Sequence, residues 1–191
     1  MPESPLGKLI KKSLGGPSDR DAVAQKLYGS VVTQARRPEF YANYGVPDSV
    51  DGRFELVALH AFLLFQRLKD QGAKSAAVSQ AVYDIMFRDM DASVRELGAG
   101  DLGVGKRVKY MTEAMGGRTK AYEAALSGDP GELEAALRRN LFGTVEPTGD
   151  SITRMTEYMR NAKAKLASQP IDAMMKGTVY FPVVAQPSPD Y

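Results

Sequence analysis

The 191-residue chain contains no cysteine, no tryptophan and a single histidine, His60. Without thiols there is no disulfide framework, no thiolate zinc or iron–sulfur site and no cysteine nucleophile. One histidine argues against His-based catalytic triads and metal clusters. Long apolar runs are missing as well. The most apolar stretch, Leu56 to Gln66, is closed by Glu55 and Arg67, and its eleven residues fall short of the roughly 20 that span a bilayer. Near the start, Lys8, Lys11 and Lys12 stand without the apolar core of a secretory signal. These absences predict a cytoplasmic or organelle-interior protein, with residues 1–17 as a flexible basic extension. That amphipathic lead has two readings, a frayed terminus or a contact with an anionic membrane surface. Any chemistry must come from carboxylates, Lys, Arg, Tyr, Ser or Thr, and the composition leans away from an enzyme. No catalytic residue, metal or cofactor is expected.

What is present is an ordinary globular composition, 43% hydrophobic and 25% charged, at a length that suits one domain plus tails. The net charge of +2 hides segregation: residues 1–37 carry +4, 38–101 carry −4, 102–127 carry +3, 128–150 carry −3 and 151–191 carry +2. Such blocks can orient a small protein toward an anionic partner.

Apolar spacing predicts an all-α, single-domain bundle of about six helices over 18–176, followed by an extended C-terminal tail over 177–191. The first helix runs over 19–37 with Asp19 as its cap and Val23, Leu27 and Val31 at helical spacing. The block Phe40 to Pro47 is a packed connector, and Asp48 or Ser49 caps a central helix from Val50 to about Asp70. There Phe54, Val57, Ala58, Ala61, Phe62, Phe65 and Leu68 form the main apolar face. Further helices are predicted over Ala73–Leu97, stopped by Gly98, and over Val104–Leu126, where Gly116-Gly117 would kink the helix or admit a neighbour. Pro130 opens a helix through Phe142, and Asp150 or Ser151 caps the last long one, to about Ser168. Val179, Tyr180, Phe181, Val183 and Val184 then suit a strand-like tail over the core.

Several residue groups invite a chemical reading. Gly100 to Lys106 meets seven positions of the phosphate-cradling pattern, but Arg107 stands where a Ser or Thr hydroxyl would hold magnesium, and no strand precedes it. A tight turn with Asp101 as helix cap is the plainer reading. His60, set among Leu56, Leu59, Leu63 and Leu64, reads as a hydrogen-bonded core histidine. Glu39, Asp48, Asp51 and Glu55 crowd helix starts, where the macrodipole favours anions. Lys106, Lys109 and Lys120 share one helical face with Glu113, while Arg107 and Arg118 share an adjacent one. With Arg53 they make the candidate partner-binding cations. Nucleic-acid binding lacks interleaved aromatics, so DNA is not expected and an RNA or ribosome contact is the alternative. Met86/Met90, Met111/Met115 and Met155/Met159 each lie four apart on separate helices. They suggest an apolar client surface, or plain core filling.

Taken in order, Ser30 to Asp48 (SVVTQARRPEFYANYGVPD), Asp51 to Leu56 (DGRFEL), Phe87 to Asp91 (FRDMD), Arg95 to Arg107 (RELGAGDLGVGKR) and Met115 to Tyr122 (MGGRTKAY) resemble the ubiquinol–cytochrome c chaperone family. The likeness covers roughly residues 27–142. It implies an α-helical, non-enzymatic assembly factor for the cytochrome bc1 complex, respiratory complex III, acting on newly made cytochrome b or another bc1 subunit. In mitochondria such proteins pair with a small protein partner near the ribosome exit. The lack of a presequence here points to a bacterial, cytoplasmic member, peripheral at the inner membrane; a eukaryotic source would place it at the matrix side of the mitochondrial inner membrane. The family carries no catalytic motif to transfer. Of the shared residues Tyr41, Gly45, Pro47, Asp51, Gly52, Arg53, Phe54, Asp101, Gly105, Lys106 and Arg118, the Gly and Phe positions are expected to be structural, and Arg53, Lys106 and Arg118 to make contacts.

Overall fold

In the computed structural model, which describes residues 18–96 and 101–184, six long helices and two short ones follow one another. They are α1 (Asp19–Ala35), α2 (Pro38–Ala42), α3 (Val50–Leu68), α4 (Ala73–Glu96), α5 (Asp101–Ala125), α6 (Pro130–Asn140), α7 (Gly149–Ala167) and α8 (Ile171–Met174). The all-α class and the order of the long helices agree with the apolar period. Caps explain the boundaries. Ser18, Ser49 and Thr148 have extended backbone and accept from the amides of Asp21, Gly52 and Ser151. Each first turn thereby satisfies a donor that has no intrahelical acceptor. The caps of α1 and α7 are thus Ser18 and Thr148, not Asp19 and Asp150 or Ser151. The region 97–100, where Gly98 was expected to stop a helix, and the side chain of Asp101 lie outside the described residues.

Helix α3 is the axis of the bundle. It packs on α1, α4 and α7, and its Phe62 meets Tyr122 of α5 at 5.6 Å between ring centroids. An axial helix must be apolar all round, and Leu56, Ala58, Leu59, Ala61, Phe62, Leu63, Leu64 and Leu68 are all buried. Phe54, Val57 and Phe65, expected on the main face, are only partly buried against the core. A periodicity plot of so apolar a segment cannot rank its faces. The other helices form a ring in which α1 meets α4, α4 meets α5, α5 meets α6 and α6 meets α7. Arg67 of α3 ties the end of α7, donating to the carbonyls of Leu166 and Gln169 at 3.0 and 2.8 Å.

Two glycines explain part of the connector. Gly45 has φ +69, a conformation that side chains with a Cβ resist, and lies against Ser151 of α7. At Gly52 a Cβ would stand 2.0 Å from the Pro47 carbonyl oxygen, so the first turn of α3 can close on the connector only without a side chain. The connector itself coils into α2, with Pro38 in its first turn. By contrast, α5 continues unbroken through Gly116 and Gly117, both exposed with open space around them; the expected close approach does not occur there. After α8, residues 178–184 run without regular structure, burying Val179 and Val184 and leaving Tyr180 and Val183 exposed.

Candidate functional site

One buried polar centre joins four segments. His60 is fully buried on α3; its Nδ1–H donates to the Leu56 carbonyl and its Nε2 accepts from the Tyr158 hydroxyl of α7, both at 2.7 Å. A carbonyl can only accept, which sets this tautomer. The Tyr158 oxygen in turn accepts from Gln34 Nε2 of α1, whose amide also donates to the Pro182 carbonyl of the tail, each at 2.9 Å. Phe40, Tyr44 and Phe181 enclose the group with edge-on contacts, Phe40 reaching Tyr158 at 4.9 Å and Phe181 reaching His60 at 5.2 Å. Burial pulls the imidazole down to a pKa of about 4, so it is neutral near pH 7. Every ring nitrogen has a partner, and the centre is a lock rather than a reactive site.

A different corner carries charge. Glu55, one turn before Leu59 on α3, is buried and receives both Nε and Nη2 of Arg118 from α5. The guanidinium carbon also stands 5.5 Å from the Phe54 ring centroid, and cation–π attraction adds to the pair. Burial pushes the Glu55 carboxyl upward while Arg118 pulls it back. Beside this pair opens a cleft of about 710 Å3, walled by the start of α3, α5 between Lys106 and Arg118, the end of α6 and the loop that follows it. Lys106, Arg118 and Arg139 bring cations to it; Asp51 and Glu55 bring carboxylates; Phe54, Tyr110, Met111 and Leu141 supply apolar wall. Asn140 Nδ2 is buried there beside the Tyr122 hydroxyl, with no other protein partner. The Tyr122 hydroxyl interacts with Asn140 and lies close enough to Glu55, Arg118 and Arg139 to feel their charges.

The structure thus brings Lys106 and Arg118, placed on adjacent helical faces by the sequence, to one cleft. Arg118 does so from the inside: its side chain is 13% exposed and held by Glu55, so it is an anchor of the fold and not the solvent-facing contact expected of it. Glu55 likewise is an ion-pair partner rather than a helix-start anion. Arg53, Lys109 and Lys120 are exposed and outside the cleft; Arg53 bonds Asp48 at 2.7 Å and Lys109 lies 3.9 Å from Glu113. The Arg107 side chain lies outside the described ones. Gly105 and Lys106 belong to the continuous helix α5, so the phosphate-cradling pattern has no loop to form from these residues, and Gly100 lies outside the description. The six methionines Met86, Met90, Met111, Met115, Met155 and Met159 are all buried in the core. Spacing by four aligned them on inward faces, and they form no exposed client surface in this conformation.

Sequence reasoning passed over Arg139 and Asn140, which lie far along the chain from Lys106 and carry no motif, and gave no role to Tyr122, which closes the MGGRTKAY block. It also gave no partner to His60, because Tyr158 and Gln34 are 98 and 26 positions away. Among the described residues no cluster of three or more His, Asp or Glu is placed to hold a metal, and no helix is long and apolar enough to cross a membrane.

The family model described as ubiquinol-cytochrome C chaperone matches residues 42–181. The ubiquinol-cytochrome c reductase complex assembly factor 1 of Mus musculus is 23% identical over 167 residues, 87% of this chain and 57% of its own length. The Homo sapiens protein of that name is 23% identical over 137 residues, 72% of this chain and 46% of its own. The chain therefore spans about half the length of these curated relatives. Among solved structures, the Cbp3 homolog from Brucella abortus superposes with a TM-score of 0.80 at 34% identity, over 94% of this chain and 97% of that one. The matched region holds α3 to α8, the Glu55–Arg118 pair and the whole cleft. With a family-model match over most of its residues and that likeness in fold, this chain belongs to the ubiquinol–cytochrome c chaperone family.

Proposed function

We propose that this chain is an assembly factor for the cytochrome bc1 complex, that it acts by binding rather than by catalysis, and that its client is newly made cytochrome b. The observation that carries this is the family match over residues 42–181, joined by relatives whose names state assembly of the ubiquinol-cytochrome c reductase complex. The site chemistry fits such a role. Its charged groups are tied into the fold or face an open cleft, the arrangement of a surface that docks a partner. The decisive measurement is deletion of the gene in its native host, with reduced-minus-oxidised difference spectra of the membranes and the level of cytochrome b. Selective loss of the b-type signal, restored by the wild-type gene, is the expected result. An unchanged spectrum with normal bc1 activity overturns the proposal.

A further inference from the structure

The cleft beside Arg118 holds two cations, Lys106 and Arg139, that the fold leaves without a counter-charge. Lys106 and Arg139 have no carboxylate within ion-pair distance among the described residues. Asn140 Nδ2 and the fully buried Tyr122 hydroxyl behind it lie beside each other, with no other protein partner. Of the two carboxylates in the wall, Glu55 is taken by Arg118 and Asp51 is engaged as well. Two free cations in one cleft suit a group that spreads charge over several oxygens, as a phosphate does.

The cleft is also larger than a phosphate. Its 710 Å3 lie within the roughly 300–1,000 Å3 of pockets that take whole organic molecules, and Phe54, Met111 and Leu141 would meet an apolar body rather than an ion. On its wall Tyr110 is 65% exposed, and Val50 and Val145, next in sequence to the wall residues Asp51 and Thr144, are 45% and 44% exposed. A helical protein partner would ask instead for a row of apolar sockets at helical spacing. Apolar and tyrosine side chains around basic residues are the make-up of an interfacial anchor.

We infer that this cleft seats the phosphate head group of an anionic phospholipid, so that the corner formed by α3, α5 and the α6–α7 loop rests on a membrane surface. The inference goes beyond bc1 assembly and does not depend on it: its readout is purified protein on vesicles, whereas the assembly proposal is read from membrane spectra in cells. The test is co-sedimentation of the full chain with vesicles of phosphatidylcholine alone and of phosphatidylcholine mixed with phosphatidylglycerol. Binding is expected only with the mixed vesicles. Each basic residue near an anionic surface contributes about 1 kcal/mol, so Lys106→Glu/Arg139→Glu should bind about 30-fold more weakly or worse. The control Lys74→Glu/Lys165→Glu carries the same net charge on exposed residues away from the cleft and should bind nearly as the wild type does. Circular dichroism and the thermal midpoint verify that both variants are folded. Absence of binding to the mixed vesicles overturns the inference, as does an equal loss in both variants, which would mean diffuse charge alone. Saturable binding of glycerol 3-phosphate without vesicle binding would make the cleft a soluble-phosphate site, and binding of an acidic helical peptide in place of vesicles would make it a protein seat; either result also overturns it.

Discussion

Helix α3 buries two ionisable side chains, His60 and Glu55, and the fold treats them in opposite ways. Around His60 each polar atom meets another neutral one: imidazole, phenol, amide and carbonyl close a chain from the tail through α1 and α7 to α3. Around Glu55 the answer is a full charge from Arg118, and next to it the cations Lys106 and Arg139 line an open cleft. A neutral, satisfied network costs little to bury and fixes geometry. A buried ion pair carries a desolvation penalty that only its own partner offsets. The first region therefore holds segments together, and the second leaves cations without a counter-charge at the edge of a cleft.

The largest expected effect tests the charged corner. Glu55→Ala leaves Arg118 buried without a counter-charge and should cost about 3–5 kcal/mol in urea unfolding. Glu55→Leu/Arg118→Met should recover most of that loss; a double variant as unstable as the single one would show that the pairing is not what matters. Next comes the pH dependence of the neutral centre. Free histidine titrates near 6.5 and His60 near 4 in the fold, so the unfolded chain takes up the proton first as pH falls. The stability due to this group is complete above pH 6.5 and is lost progressively toward pH 4, by about 3 kcal/mol in total. His60→Gln should flatten that slope between pH 6.5 and 5. If it does not, the neutral lock is elsewhere.

A smaller effect separates hydrogen bonding from packing in the same centre. Tyr158→Phe keeps the ring against Phe40 but removes the donor to His60 and the acceptor for Gln34; it should cost about 1–3 kcal/mol. Hydrogen exchange should rise in residues 178–184, and unaltered exchange there would detach the tail from the centre. The smallest effect sharpens the contrast. Lys106→Glu should alter stability by no more than about 0.5 kcal/mol, because an exposed cation without a partner contributes little to folding. A large loss would make Lys106 a structural residue, like Arg118.

Much of this was legible in the residues. The period of Val78, Val82, Met86, Met90 and Val94 placed α4 almost to its ends, and the ordered string of motifs pointed to the family. The caps at Ser18 and Thr148 were missed by one to three positions, because several capping residues stand together and only the backbone angles choose among them. The methionines show the limit of spacing: four-residue intervals mark a face, and a face can point inward or outward. Arg118 shows it again, since its partner Glu55 is 63 positions away.

Helix positions and class follow from local terms, the apolar period and the capping and breaking residues, which act within a turn or two of the chain. Which ionisable groups meet is set by distant helices packing on α3, where burial strengthens each charge and makes its partner obligatory. Hence His60 could be read as a core residue from its leucine neighbours alone, while its link to Tyr158, the inward turn of Arg118, and the cleft that gathers Lys106, Arg139 and Asn140 exist only once α5, α6 and α7 close around α3.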